Sequence, residues 1–239
     1  MPMNKSVIIL STILTMMPQI PNINPLEDVI IPTLNTSNPD IILRIGEYPD
    51  KPGKRLTLPQ DMGDYNLPVR YNAQEDNYYI SEYYFNQKIA NALYNYLKDN
   101  GINVILQDTA SKKEDLNAAG RIAKQKNPLI YLSIHTNSYQ NDSSGYFFLT
   151  NDGDNLSRQL ASQLSFSIKD NKLIPQRNNR IQDGYIGELN MKPGKINILG
   201  EFGFFSNPQE AKFLSSNEYV NYVAINMGNE LIQIIKTLK

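Results

Sequence analysis

From Ile41 onward, short apolar runs alternate with longer stretches whose apolar residues recur at helical spacing, a rhythm that few folds accommodate. The runs are Ile41–Ile45, Asn103–Leu106, Leu129–Ile134, Tyr146–Leu149 and Ile196–Leu199. Each is short and is entered or left through glycine, proline or polar residues, as buried strands are. The first intervening stretch begins at Ser81, places Phe85, Ile89, Leu93 and Leu97 on one face, and is closed by Gly101 in the C′ position. Further helices are expected over Lys112–Lys126 and over Asp154–Lys169, with Leu156, Leu160, Leu164 and Ile168 facing inward. Near the end, Asn207-Pro208-Gln209-Glu210 supplies a cap, a proline at N1 and an acid at N3, and Ser215-Ser216-Asn217-Glu218 repeats that logic. Val220, Val223, Met227, Leu231, Ile234 and Leu238 then form one apolar stripe. Strands alternating with helices predict an α/β fold: three layers, with a mostly parallel twisted sheet of about six strands and helices on both faces.

Two segments fall outside this rhythm. Residues 1–40 open with an apolar run, Val7 to Met17, too short to span a bilayer and suited to the apolar core of an export signal. A Pro/Asn-rich arm follows, with Pro18, Pro21, Pro25, Pro32 and Pro39. The expected division is therefore a signal-like segment plus arm over 1–40 and a catalytic-type domain over 41–239. Export would place the chain in the cell wall or outside the cell. Residues 49–79, rich in Pro, Gly, Asp, Asn and Tyr, are expected to form one long loop, and loops of that length inside a domain usually serve a function.

Counts narrow the chemistry. The formal net charge of -1 offers polyanions nothing, so nucleic acid is not an expected partner. Cysteine is absent, which removes disulfides, thiolate-held zinc and thiol catalysis. Histidine occurs once, at His135, so any metal site or serine triad must be built on that residue. No G-x-S-x-G turn is present, which argues against a serine hydrolase of the α/β type. Fifteen tyrosines, among them Tyr78-Tyr79 and Tyr83-Tyr84, suit either sugar stacking or packing between sheet and helix.

Polar residues stand where strands are expected to stop: Glu47 after the first, His135 after the third and Glu201 after the last. Glu82 opens the helix that follows the long loop. In such a sheet, functional groups gather at the carboxyl ends of the strands, and one histidine among several carboxylates suggests a hydrolytic metal site. The same residues have simpler uses. Glu82 would stabilise a helix N-terminus by about 0.3–1 kcal/mol with no metal present.

Local sequence sharpens the choice. Ser133-Ile134-His135-Thr136-Asn137 resembles the S-I-H-x-N strand end of the family 3 N-acetylmuramoyl-L-alanine amidases, and Glu201-Phe202-Gly203-Phe204-Phe205-Ser206-Asn207 resembles their E-x-G-F-x-S-N segment. Gly187-Glu188-Leu189-Asn190 is similar to the segment preceding it, and Glu82 with Asn86 is similar to the family's E-x-x-x-N helix. Arg121 falls where the family often carries an arginine. The resemblance covers about Ile41 to the C-terminus. It implies a peptidoglycan hydrolase that cleaves the amide between N-acetylmuramic acid and L-alanine, using a water activated by Zn2+. It further implies Glu82 and His135 as metal ligands, Glu201 as general base, and Asn137 and Arg121 as substrate contacts.

One expected ligand departs from the pattern. The family's first histidine follows strand one in a G-H-G context, whereas here Gly46-Glu47-Tyr48 stands in that place. A Glu47, Glu82, His135 set can bind zinc, but it neutralises the ion more fully and makes harder cations such as manganese or magnesium more competitive. Two outcomes follow from this replacement. One is an amidase with an altered metal site; the other is an inactive amidase-fold module that binds cell-wall glycan or a protein partner.

Overall fold

The computed structural model describes residues 38–48, 69–72, 77–108 and 116–239. These lie in one of the chain's two units, Leu34–Lys239. Eight strands occur among them: β1 (Ile41–Ile45), β2 (Val69–Asn72), β3 (Asn77–Ile80), β4 (Val104–Gln107), β5 (Ile130–Asn137), β6 (Tyr146–Thr150), β7 (Gln176–Asp183) and β8 (Ile196–Phe204). The helices are α1 (Glu82–Asp99), α2 (Leu116–Lys126), α3 (Asn155–Ser167), α4 (Gly187–Asn190), α5 (Pro208–Ser215) and α6 (Asn217–Leu238).

Six strands form one sheet in the order β4-β1-β5-β8-β6-β7. β4, β1, β5 and β8 run parallel, β6 pairs antiparallel to β8, and β7 runs parallel to β6. The expected three-layer, mostly parallel sheet is therefore the observed one. β1 is buried at all five positions, as a strand covered on both faces must be.

Successive side chains along a strand point to opposite faces. On one face α1 packs on β1, β4 and β5, α3 packs on β6, β7 and β8, and α6 packs against α1, α3 and α5. On the other, Ile42, Tyr131 and Leu199 pack with Ala123 of α2 and Leu189 of α4. The caps behave as their residue types require. Asp154 accepts from the Ser157 amide, Asn207 from Gln209 and Glu210, and Ser216 from Tyr219. Ser81 holds the N-cap position of α1 but makes no capping hydrogen bond with its hydroxyl.

Several boundaries differ from those expected. β5 runs on through His135 to Asn137, and β8 runs on through Glu201 to Phe204, because β5 and β8 continue to pair with each other beyond the apolar runs. The supposed loop 49–79 contains β2 and β3, which pair with each other in an antiparallel hairpin. β7 and α4 carry too few apolar residues to be seen in advance. The expected helix start at Lys112, the run from Val7 to Met17 and the prolines at 18, 21, 25 and 32 lie outside the described residues. No helix among the described residues is long and apolar enough to cross a membrane.

Candidate metal and catalytic site

Where β1 ends, Gly46 donates its amide to the carbonyl of Ile134, 2.9 Å away, keeping the two chains in register past the strand. A Cβ on Gly46 would lie 2.5 Å from the His135 ring, so only glycine lets the imidazole rest against this turn. The next residue, Glu47, adopts φ 61°, a left-handed conformation that a glutamate rarely takes. Such conformations cluster at functional sites, where surrounding contacts enforce them.

Glu82 enters from the first turn of α1. Its Oε1 lies 2.9 Å from His135 Nδ1 and accepts from Asn86 Nδ2 at 3.0 Å. Asn86, one turn further along, is fully buried; it also donates to the Gly46 carbonyl at 3.0 Å and accepts from the Thr136 hydroxyl at 3.0 Å. This one amide therefore ties together α1, the turn after β1 and the end of β5. Glu47, Glu82 and His135 each present one ligand atom, and those atoms all lie within 4.8 Å of one another.

Glu201 sits on β8 directly beside His135 in the parallel pairing. Its Oε2 is buried and has no hydrogen-bond partner among the described residues. Burial pushes this carboxyl up to about 8; the charges of Glu82, Glu47 and Glu188 add to that rise, and His135 opposes it.

Behind His135 lies a second set of charges that sequence reasoning had not assigned. Arg44, in the middle of β1, and Glu188, on α4, have 1% and 0% of their side chains exposed, and Arg44 Nε stands 3.1 Å from Glu188 Oε2. The Tyr131 hydroxyl donates to that same oxygen at 2.9 Å. Glu188 Oε1 faces His135 Nε2 at 3.4 Å. Burial opposes charge on both groups. Arg44 and His135 nevertheless hold Glu188 down to about 2, while the neighbouring carboxylates of Glu188 and Glu82 raise His135 to about 10.

The donor set fits a divalent cation. Two carboxylates and an imidazole converge, and a third carboxylate with an unpartnered oxygen stands beside them. A cation among them would relieve the mutual repulsion that raises Glu201. The structure thus brings Glu47, Glu82, His135 and Glu201 together, as expected from the sequence. Asn137 ends β5 half-buried, with its Oδ1 accepting from the Ser138 amide at 2.7 Å. Arg121 lies exposed on α2. Arg44 was visible in advance as a charge inside an apolar strand. Glu188 carried no such signal, because its burial depends on where the four-residue α4 docks.

A model of the N-acetylmuramoyl-L-alanine amidase family matches residues 63–233. Among curated proteins, the uncharacterized protein YqiI of Bacillus subtilis (strain 168) is 32% identical over 130 residues, 52% of this chain. That match spans 59% of the relative's length. Among solved structures, the amidase AmiC2 of Nostoc punctiforme superposes with a TM-score of 0.62 at 18% identity, covering 82% of this chain and 96% of that one. The CwlD amidase of Clostridioides difficile, solved in complex with the GerS lipoprotein, gives 0.59 at 20% identity, covering 84% and 100%. At such identities the superpositions establish the shared fold.

Proposed function

The chain belongs to the N-acetylmuramoyl-L-alanine amidase family, and on that premise we propose that it hydrolyses the amide joining N-acetylmuramic acid to L-alanine in peptidoglycan. The observation that carries this reading is the convergence of Glu47, Glu82 and His135 next to Glu201.

Glu47, Glu82 and His135 would hold the cation, zinc by family, with manganese more competitive here because two of the three donors are carboxylate oxygens. A divalent cation bound there would polarise the scissile carbonyl and make water more acidic, though less so than with fewer carboxylate ligands. Glu201 takes the proton of the attacking water and returns it to the departing nitrogen. The C–N bond breaks, leaving a carboxylic acid on the lactyl group and a free α-amine on L-alanine. The position of Glu201 suits that exchange, since its carboxyl lies directly beside His135 with one oxygen that has no hydrogen-bond partner among the described residues. Asn86 holds Glu82 toward His135, so the two ligands arrive pre-oriented. Asn137 and Arg121 are proposed as substrate contacts on the family resemblance alone.

With peptidoglycan as its substrate, the protein would act at the cell wall. A protein partner is part of the proposal, because the similar CwlD amidase was solved in complex with a lipoprotein.

Digestion of purified peptidoglycan by the full chain, with zinc or manganese added, tests the reading by mass spectrometry of the released material. Stem peptides beginning with a free L-alanine amine are expected, and Glu201→Gln should lower their rate of release by about 10²–10⁴-fold. No such peptides with either cation would overturn the enzyme reading and leave a wall-binding module.

A further inference from the structure

We propose that the buried Arg44–Glu188 pair positions His135, holding its ring proton on Nε2 so that Nδ1 is presented to Glu47 and Glu82. The inference rests on the metal-site reading above and deepens it.

An arginine in the centre of a fully buried strand is costly unless its charge is met, and Glu188 meets it from a four-residue helix on the opposite side of the chain's sequence. Stability does not explain such a pair. Apolar residues of similar volume usually stabilise a fold as well as a buried ion pair, or better. What distinguishes this pair is its third neighbour. Glu188 spends Oε2 on Arg44 and on the Tyr131 hydroxyl, and its other oxygen is aimed at the buried ring nitrogen of the chain's one histidine.

A neutral imidazole carries one ring proton, and its other nitrogen is an acceptor. Here the two nitrogens have different surroundings. Nε2 lies 3.4 Å from an oxygen of Glu188, neither atom having a hydrogen-bond partner among the described residues, whereas Nδ1 is hydrogen-bonded at 2.9 Å to Glu82, one of the carboxylates of the cluster. With a cation among the carboxylates, the Nδ1 lone pair turns to it and the ring proton goes to Nε2, where the Glu188 oxygen stands ready to accept it. A carboxylate behind a metal-binding histidine fixes its tautomer and ring angle and raises its basicity, and removing such a group typically lowers metal affinity by 10–100-fold. Glu188 is the positioning residue. Arg44 and Tyr131 fix Glu188 in turn, and Ile42, Leu189 and Leu199 pack on the same face of the sheet as Arg44 and keep water away.

Removing Glu188 alone would strand the Arg44 charge and risk the fold, so the informative variant is Arg44→Met with Glu188→Leu, which clears both charges at similar volume. Zinc affinity of the full chain by titration calorimetry, the thermal midpoint without metal, and the ¹⁵N spectrum of the single imidazole are the readouts. The double variant is expected to keep or raise the metal-free midpoint while losing about 10–100-fold in zinc affinity. Arg44→Gln with Glu188→Gln strands no charge, keeps an oxygen acceptor behind His135 and should lose less. The zinc-loaded wild type should show its proton on Nε2, and the double variant should lose that preference. A folded double variant with wild-type zinc affinity, or a zinc-loaded wild type protonated on Nδ1, would overturn the proposal alone. A wild type that binds neither zinc nor manganese would overturn the metal-site reading, and this one with it.

Discussion

Residue 46 has no side chain, and the histidine ring occupies the room that this leaves. The chain then turns through a left-handed Glu47, so the carboxylate that replaces a histidine in the family pattern is delivered by a conformation that glutamate resists by about 1–2 kcal/mol. Glu47→His tests the replacement. Histidine tolerates the left-handed region better than most residues, and it would remove one negative charge from the cluster. Zinc affinity and hydrolysis are both expected to rise, read by calorimetry and peptide release. Glu47→Gly should do the reverse. It relieves the backbone while adding unfolded-state entropy, so metal-free stability should stay within about 1 kcal/mol as affinity falls. Legibility at this scale was uneven. Glu82, His135 and Glu201 were readable because each sits in a short ordered motif. The Arg44–Glu188 contact spans most of the domain's sequence, and only the docking of α4 creates it.

Among elements, α2 and α4 meet at Gly120, where an added Cβ would lie 2.5 Å from the Glu188 carbonyl and 2.9 Å from Met191. Helix propensity alone would favour alanine there by about 1 kcal/mol. The crowding should win. Gly120→Ala is expected to lower stability by about 1–3 kcal/mol in denaturant titration, and to weaken zinc binding by moving Glu188 away from His135. A gain in stability would show that α4 yields freely and does not hold Glu188 in place. The strands whose two faces are both covered were plain from sequence, since an apolar run has few other uses. β7 was not, because QRNNRIQD at the sheet's edge has neither alternation nor an apolar run. β2 and β3 were hidden because each is four residues long, too short for an alternation to show against the polar stretch around it.

At the scale of the whole molecule, the clustered charges set how stability depends on pH when no cation is bound. Glu201, raised from 4.5 to about 8, and His135, raised from 6.5 to about 10, both bind protons more tightly folded than unfolded. Their stabilisation is complete below the unfolded values and is lost as pH rises, across 4.5–8 for Glu201 and across 6.5–10 for His135. Glu188 has the opposite sign. Held at about 2, its contribution is present above 4.5 and is lost as pH falls. With chelator present, the thermal midpoint should therefore peak at mildly acidic pH and decline toward pH 10. Saturating zinc should flatten that decline, since a bound cation favours the deprotonated ligands. A midpoint that climbs steadily from pH 5 to pH 9 without metal would show that the cluster is not crowded as described.

The central claim is that Glu47, Glu82 and His135 together hold a cation beside Glu201, and anomalous diffraction from crystals grown with zinc or manganese tests it most directly. The account predicts one strong anomalous peak within bonding distance of Nδ1 of His135 and of an oxygen from each of Glu47 and Glu82, with Glu201 next to it. Crystals saturated with either cation that show no peak at this cluster, or a peak bound only elsewhere, would contradict it.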